Sequence, residues 1–491
     1  MIKNPHKAIS TVGELKASGY VPRSIKEEMR ANLILKWQKK QKVFEGIIGF
    51  EDTVIPDLER AILSRHNILL LGLRGQAKTK IARLMVELLD EYIPVLEGSE
   101  VNEDPLEPFT AQGKALLETL GDQAKVVWMH RLERYVEKLA TPDVSVADLI
   151  GDIDPIKAAT LKLSYADERV IHYGLIPRSH RSVFVINELP DLQPRIQVSL
   201  FNILQEKDLQ IRGFKWRLPL DIQFVFTANP EDYTNRGSII TPLKDRIESQ
   251  ILTHYPRSIE DSVRITSQEA RIHPEQKKTV EIPELHRTLL EMIVFEARES
   301  ELTDEKSGVS ARMSLTAFEN LVSTAERRML LQGQRSTSTR ISDFWGIIPS
   351  MTGKVELVYE GEQEGPYQVA MQLMFSACKK LFLEYFPNPN QKLRKEAKDE
   401  YSIIKAWFVG GKETMLLLDS SDKDFLESIN KVEGLMPMVK KHYPKYAESW
   451  QLAEMVLFGL SETEVIGKNI VDRNIQFMDP LSNMLDDLSD N

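Results

Sequence analysis

Hydrophobic positions along the chain fall into two regimes. Up to about residue 256, short apolar runs alternate with segments whose apolar residues recur at helical spacing. Asn67-Ile68-Leu69-Leu70-Leu71 is such a run, closed by Gly72; the amphipathic stretch Ile55–Leu63 precedes it and the helically spaced segment Lys80–Leu89 follows. The alternation returns at Ser182–Leu189, Arg195–Gln205 and Ile222–Ala228. A short apolar run bounded by turn signals suits a strand buried on both faces, and strands alternating with helices imply a parallel sheet covered by helices. Beyond Pro256 the strand pattern stops. Helical patterns such as Leu289–Ala297 and Leu315–Leu331 take over, Gln334–Thr339 and Gly353–Gly365 read as loops, and the chain is expected to stay mostly helical to its end. The stretch Phe477–Asn491 sets Phe477, Leu481, Leu485 and Leu488 among four aspartates, which suits either a docking helix for a partner or a frayed acidic tail. The expected organisation is a basic N-terminal extension over 1–45, an α/β unit over 46–256, an all-helical unit over 257–352 and a mostly helical extension over 353–491.

Composition narrows the classes. The 491 residues, 42% apolar and 28% charged, are enough for several cores, and no run approaches the roughly 18 apolar residues of a membrane span. The first residues lack an apolar core and a small-residue cleavage site, so no secretory signal is read and a cytoplasmic location is expected. Cys378 is the single cysteine, which excludes an intrachain disulfide and multi-cysteine zinc patterns; it reads as a buried small hydrophobe. The nine histidines are scattered without HExxH, so any metal is expected to arrive with a nucleotide. A net charge of −10 argues against nucleic-acid binding, and the ten Lys/Arg against three Glu in the first 43 residues read as a solvated helix face.

Three motifs carry candidate chemistry. Gly72-Leu73-Arg74-Gly75-Gln76-Ala77-Lys78-Thr79 fits GxxxxGK[ST] with Ala77 in place of the second glycine. Such a loop curls its backbone N–H groups toward phosphates, sends the lysine to the outer phosphates and offers the hydroxyl to Mg²⁺. Val183-Phe184-Val185-Ile186-Asn187-Glu188 is a buried strand whose polar end delivers two side chains beside that loop, with Glu188 placed to activate a water. Asn187 stands where such sites usually carry an aspartate on the Mg²⁺ side, and an amide keeps an acceptor while losing the charge. A third strand, Gln223–Ala228, ends in Asn229-Pro230, where the asparagine can reach a γ-phosphate or water or simply open a turn. Asp245-Arg246 and Arg312 follow; a lone arginine of either kind also suits a surface ion pair. Gly410-Gly411-Lys412-Glu413-Thr414 lacks the leading glycine of a second phosphate loop and reads as a turn.

In this order the motifs resemble the AAA+ ATPases. Leu149–Asp154 and Tyr173–Arg181 resemble the magnesium-chelatase ATPase subunit, Leu209–Leu218 around Gly213 is similar to that family's hairpin, and Ala77-Lys78-Thr79 is similar to MoxR proteins. The resemblance, which covers roughly Gly46–Leu331, implies a doubly wound P-loop domain with a helical lid. It implies that Gly72, Gly75, Gln76, Ala77, Lys78 and Thr79 bind ATP, with Thr79 and Asn187 on the Mg²⁺ side. It further implies Glu188 as the catalytic carboxylate, Asn229 as first sensor, Arg246 as a finger reaching a neighbouring subunit and Arg312 as second sensor in the lid. The function implied is that of an ATP-hydrolysing homo-oligomeric ring, expected as a hexamer, that remodels or activates a protein client or partner subunit. The alternatives are a true magnesium-chelatase motor acting on a porphyrin and a weakly hydrolysing ATP-binding scaffold.

Overall fold

The computed structural model describes residues 8–480 apart from 166, 207, 210–217, 231–237, 305–307, 392–398, 446–448 and 472–473. The chain divides into two compact units, Met1–Tyr255 and Pro256–Asn491.

In the first unit a short helix at Val12–Ala17 precedes α1 (Ile25–Gln38), which is capped by Ser24, whose side chain accepts from the Glu27 amide. After α2 (Val54–Leu63) comes β1 (Ile68–Leu71), the phosphate-loop motif and α3 (Lys78–Leu84). The remaining elements of the sheet layer are β2 (Tyr135–Leu139), β3 (Ser182–Asn187), α4 (Pro194–Glu206), β4 (Ile222–Ala228), α5 (Thr241–Arg246) and β5 (Ser249–Leu252). The five strands form one sheet in the order β5-β1-β4-β3-β2, every pair parallel.

Strand periodicity explains how both faces are covered. Ile68, Leu70, Val183, Val185, Val225 and Ile251 face one way and join Met29 and Leu33 of α1, Leu58 and Ile62 of α2 and Ile81 of α3 in one core. The alternate residues Leu69, Phe184, Ile186, Phe224 and Phe226 face the other way and pack with Ile196, Leu200 and Leu243 of α4 and α5. A period of two in the strands meeting a period near 3.6 in the helices makes this a doubly wound sheet. The basic N-terminal stretch is thus part of the layer: Ile25, Met29 and Leu33 are each at most 1% exposed, and burying each is worth roughly 1.5–3 kcal/mol.

Two of the sequence stretches singled out above meet, since Gly151–Ile153 pairs antiparallel with Ile171–Tyr173. Asp208–Leu209 pairs antiparallel with Leu218–Pro219, while residues 210–217 of the expected hairpin lie outside the described residues.

In the second unit α6 (Glu284–Glu299), α7 (Ala311–Leu331), α8 (Pro366–Tyr385) and α9 (Ser449–Glu462) contribute to one hydrophobic core. That core runs through the boundary expected near residue 352, joining Leu289 and Leu321 to Leu381 and Val456. Strands do not stop at Pro256. β6 (Thr414–Leu416), β7 (Gly467–Val471) and β8 (Asn474–Met478) form an antiparallel sheet in the order β6-β8-β7. These strands lack the continuous apolar run that marks β1, and in β8 only alternation betrays the strand: Ile475 and Phe477 are fully buried with half-exposed Gln476 between them. Phe477 therefore belongs to a strand and not to a docking helix or tail; residues 481–491 lie outside the described residues. Gly410 and Gly411 make the turn after Ser402–Val409, with Gly411 at φ 77°. Cys378 is buried on α8, and burial pushes its thiol up. Among the described residues no helix is long and apolar enough to cross a membrane.

Candidate functional site

The carboxyl ends of β1, β4 and β3 lie side by side because register fixes them. Leu71 is opposite Ala228 and Leu252, Gly72 N–H donates to Ala228 O at 3.2 Å, and Ile186 is opposite Phe226. The residues that leave these strand ends are Gly72, Asn229, Asn187 and Glu188, all predicted from sequence. In a parallel sheet this edge is where ligands are held.

The loop between β1 and α3 is shaped by close approach. A Cβ at Gly72 would stand 2.1 Å from Thr253 Oγ1 and 2.2 Å from Gln76 Oε1, two atoms themselves joined at 2.7 Å, so no side chain fits there. Gly75 turns the chain at φ 74°, and the Tyr255 hydroxyl donates to Arg74 O at 3.0 Å. Ala77 then takes φ 55° and ψ 12°, the left-handed conformation that the motif's usual glycine adopts without strain and that costs an alanine about 1–2 kcal/mol. The loop thus keeps its curled form despite the substitution.

Lys78, only 9% exposed, aims its ammonium back into this curl. It donates to Gly72 O, to Leu73 O at 2.8 Å and to Asn229 Oδ1 at 2.6 Å. The lysine and the first-sensor candidate, 151 residues apart in sequence, are therefore direct partners. Thr79 follows in the first turn of α3, half-buried.

At the end of β3, Asn187 Nδ2 donates to Glu137 Oε1 at 2.5 Å, and Asn187 Oδ1 accepts from Thr227 Oγ1 at 3.1 Å. Glu188 is left-handed at φ 56° and ψ 51°, with its N–H donating to the same Thr227 hydroxyl at 3.1 Å. A non-glycine residue held in this region stores strain that surrounding contacts must impose. Sequence reading missed Glu137 and Thr227. Thr227 carried a signal, being the one hydroxyl in an otherwise apolar strand end; Glu137 carried none, because β2 was not recognised as a strand.

The two arginines have other partners among the described residues. Arg246 closes α5, where its Nε donates to Gln205 Oε1 at 3.0 Å and Nη1 to Pro242 O at 2.7 Å, and its guanidinium stands 4.8 Å from the Phe201 ring centroid. These partners are on α4 and α5, not on the loop. Arg312 belongs to the second unit, exposed in the first turn of α7, its amide capped by Ser310 Oγ at 3.2 Å.

Among the described residues no group of three or more His, Cys, Asp or Glu side chains could hold a metal ion. Oxygen-bearing side chains on the elements that meet at this edge are Thr79 in the first turn of α3, Asn187 at the end of β3 and Glu188 just after it.

A doubly covered parallel sheet, with a glycine loop curled round a buried lysine at its carboxyl edge, defines a phosphate-loop α/β protein. No family model matches the chain. Among solved structures it is similar to a chain from the cryo-EM-based complex between subunits BchI and BchD of magnesium chelatase, at 18% identity and a TM-score of 0.34 over 66% of this chain and 98% of that one. It is also similar to NtrX from Brucella abortus in complex with ATP, at 14% identity and a TM-score of 0.35 over 60% of this chain and 53% of that one. The chain thus spans about half the length of NtrX. What the site can do follows from its own geometry.

Proposed function

We propose that this protein is an AAA+ ATPase of the magnesium-chelatase ATPase subunit and MoxR group, which binds ATP at Gly72–Thr79 and hydrolyses it within a homo-oligomeric ring to remodel or activate a partner protein. The observation that carries the reading is the buried Lys78 ammonium 2.6 Å from Asn229 Oδ1 at the carboxyl edge of the sheet, inside the curled loop. An ammonium held by carbonyl and amide oxygens is ready to exchange them for the more strongly accepting oxygens of the outer phosphates. Asn229, already in contact with it, would then sense the γ-phosphate. Glu188, presented by the strained turn after β3, would orient the attacking water and take its proton. Thr79 and Asn187 would face a Mg²⁺ bound with the nucleotide, whose contribution is to neutralise phosphate charge. Arg246, held by partners on α4 and α5, suits a finger that serves the site of a neighbouring copy, which is the reason for expecting a ring.

The amide at Asn187 favours a second reading, an ATP-binding scaffold that scarcely hydrolyses. ATP binding and phosphate release by the wild-type protein and by Glu188→Gln separate the two. The motor reading expects wild-type turnover that falls about 100-fold or more in Glu188→Gln while ATP binding persists. Binding without turnover in the wild type selects the scaffold. Equal turnover in both proteins moves the base elsewhere.

A further inference from the structure

The negative charge absent from the end of β3 stands on the neighbouring strand. Glu137 of β2 lies two residues before the pairing of Leu139 with Asn187, and its side chain reaches forward along the edge to that asparagine. One carboxylate oxygen, Oε1, accepts from Asn187 Nδ2 at 2.5 Å. The other, Oε2, accepts from Arg83 Nε at 3.2 Å, Arg83 Nη2 at 3.0 Å and the Tyr135 hydroxyl at 3.0 Å. Arg83 belongs to α3, the helix that Lys78 and Thr79 begin. The carboxylate accordingly ties the phosphate-loop helix to the end of β3.

An ionised carboxylate only accepts hydrogen bonds. The Asn187 amide must therefore turn its nitrogen to Glu137 and its oxygen the other way, toward Thr227 Oγ1 at 3.1 Å. The Thr227 hydroxyl spends its one proton on that oxygen, which leaves its lone pairs for the Glu188 N–H at 3.1 Å. Asn187 and Thr227 are 9% and 3% exposed, so water has little room to substitute for either. Each link dictates the polarity of the next, from Glu137 through Asn187 and Thr227 to the backbone of Glu188.

We propose that Glu137 is a positioning residue of the nucleotide site. It places a carboxylate beside residue 187 and orders the hydrogen-bond chain that sets the left-handed turn from which Glu188 projects. The inference rests on the nucleotide-site reading above. It also gives a reason for the amide at 187: an aspartate there would set carboxylate against carboxylate at hydrogen-bond distance, a like-charge contact that an amide turns into a donor–acceptor pair. Glu137 and Asn187 then form one unit, with one negative charge and one donor, and the unit should work equally well with the two exchanged.

The test is a charge swap read by ATP binding across a Mg²⁺ titration, with unfolding midpoints of the nucleotide-free proteins as the control for folding. Asn187→Asp should raise the Mg²⁺ concentration for half-maximal ATP binding about 10-fold, and the double variant Glu137→Gln/Asn187→Asp should return it to within about 3-fold of wild type. Glu137→Gln alone should shift it in the same direction as Asn187→Asp. If Glu137→Gln alone fails to fold, the comparison of Asn187→Asp with the double variant still decides. An Asn187→Asp protein that needs less Mg²⁺ than wild type, or a double variant no better than Asn187→Asp, overturns the proposal. Absence of any wild-type ATP binding that Lys78→Ala removes overturns the nucleotide-site reading and this inference together; with that binding present, failure of the swap overturns this inference alone.

Discussion

The two ends of the central sheet are both lined with polar groups, yet they are built differently. At the amino end, Arg134 just before β2 donates from both terminal nitrogens to the two oxygens of Glu28 at 2.7 Å, and from Nε to Arg181 O at 2.8 Å. Arg181, just before β3, reaches Pro94 O at 2.7 Å, the Tyr20 hydroxyl at 2.9 Å and Asp104 at 3.1 Å. Asp221, just before β4, accepts from the Ile25 amide at 2.7 Å. Glu28, Tyr20 and Ile25 all come from the N-terminal stretch, so these contacts fasten it to the sheet. Arg134 and Glu28 are 0% and 3% exposed. At the carboxyl end the lysine is held by carbonyl and amide oxygens, Ala77 and Glu188 are strained, and Glu188 is partly exposed. Buried charges with bidentate partners make one arrangement rigid, whereas at the other end a cation is held by neutral oxygens and two residues keep a strained backbone.

Breaking the amino end should therefore cost stability. Glu28→Ala strands the buried Arg134, and a stranded charge of this kind costs about 3–5 kcal/mol. Hydrogen exchange of the β2 and β3 amides should accelerate accordingly, while ATP affinity of the folded protein stays near wild type. Unchanged exchange would mean that the pair is not structural.

A smaller effect follows from His180 at the same end. Its Nδ1 accepts the Asp221 N–H at 3.0 Å, and burial together with the neighbouring Arg181 charge pushes its pKa down to about 3. The folded protein holds this ring neutral, while the unfolded chain protonates it near 6.5. The stability it lends is complete above about pH 6.5 and is lost as pH falls toward 3, amounting to about 2 kcal/mol between pH 7 and pH 5. Protection of the β3 amides should fall over that interval, and His180→Gln should flatten the fall. An equally steep profile in the variant would assign the acid sensitivity to other groups.

The same contrast explains what could be read from sequence. β1, β3 and β4 stand inside the sheet with both faces covered, so their apolar runs declare them. β2 and β5 are its edges. Tyr135-Val136-Glu137-Lys138-Leu139 has no fully buried residue, and in Ser249-Gln250-Ile251-Leu252 only Ile251 is buried, so neither has an apolar run to find. Lys78, Asn187, Glu188 and Asn229 were legible because each sits at the end of a recognisable strand or in a spaced motif. Glu137 was not, because its contact with Asn187 depends on which strand lies beside β3, a lateral neighbour that a linear pattern does not specify. In the N-terminal stretch the interspersed Met29, Leu33, Leu35 and Trp37 suit a helix packed on the next domain, and Met29 and Leu33 do pack there; the basic count read as its solvated face gave no sign that Glu28, one of three acids, pairs with Arg134.

The central claim is that the loop from Gly72 to Thr79 is a nucleotide site organised by Lys78, and equilibrium ATP binding to wild type and Lys78→Ala tests it most directly. Removing the one buried ammonium in the curl should weaken ATP binding by at least about 100-fold, or ~2.7 kcal/mol, with little change in exchange of the β2 and β3 amides. ATP affinity that survives the substitution in a folded protein, or a wild type that binds no ATP, would contradict the account.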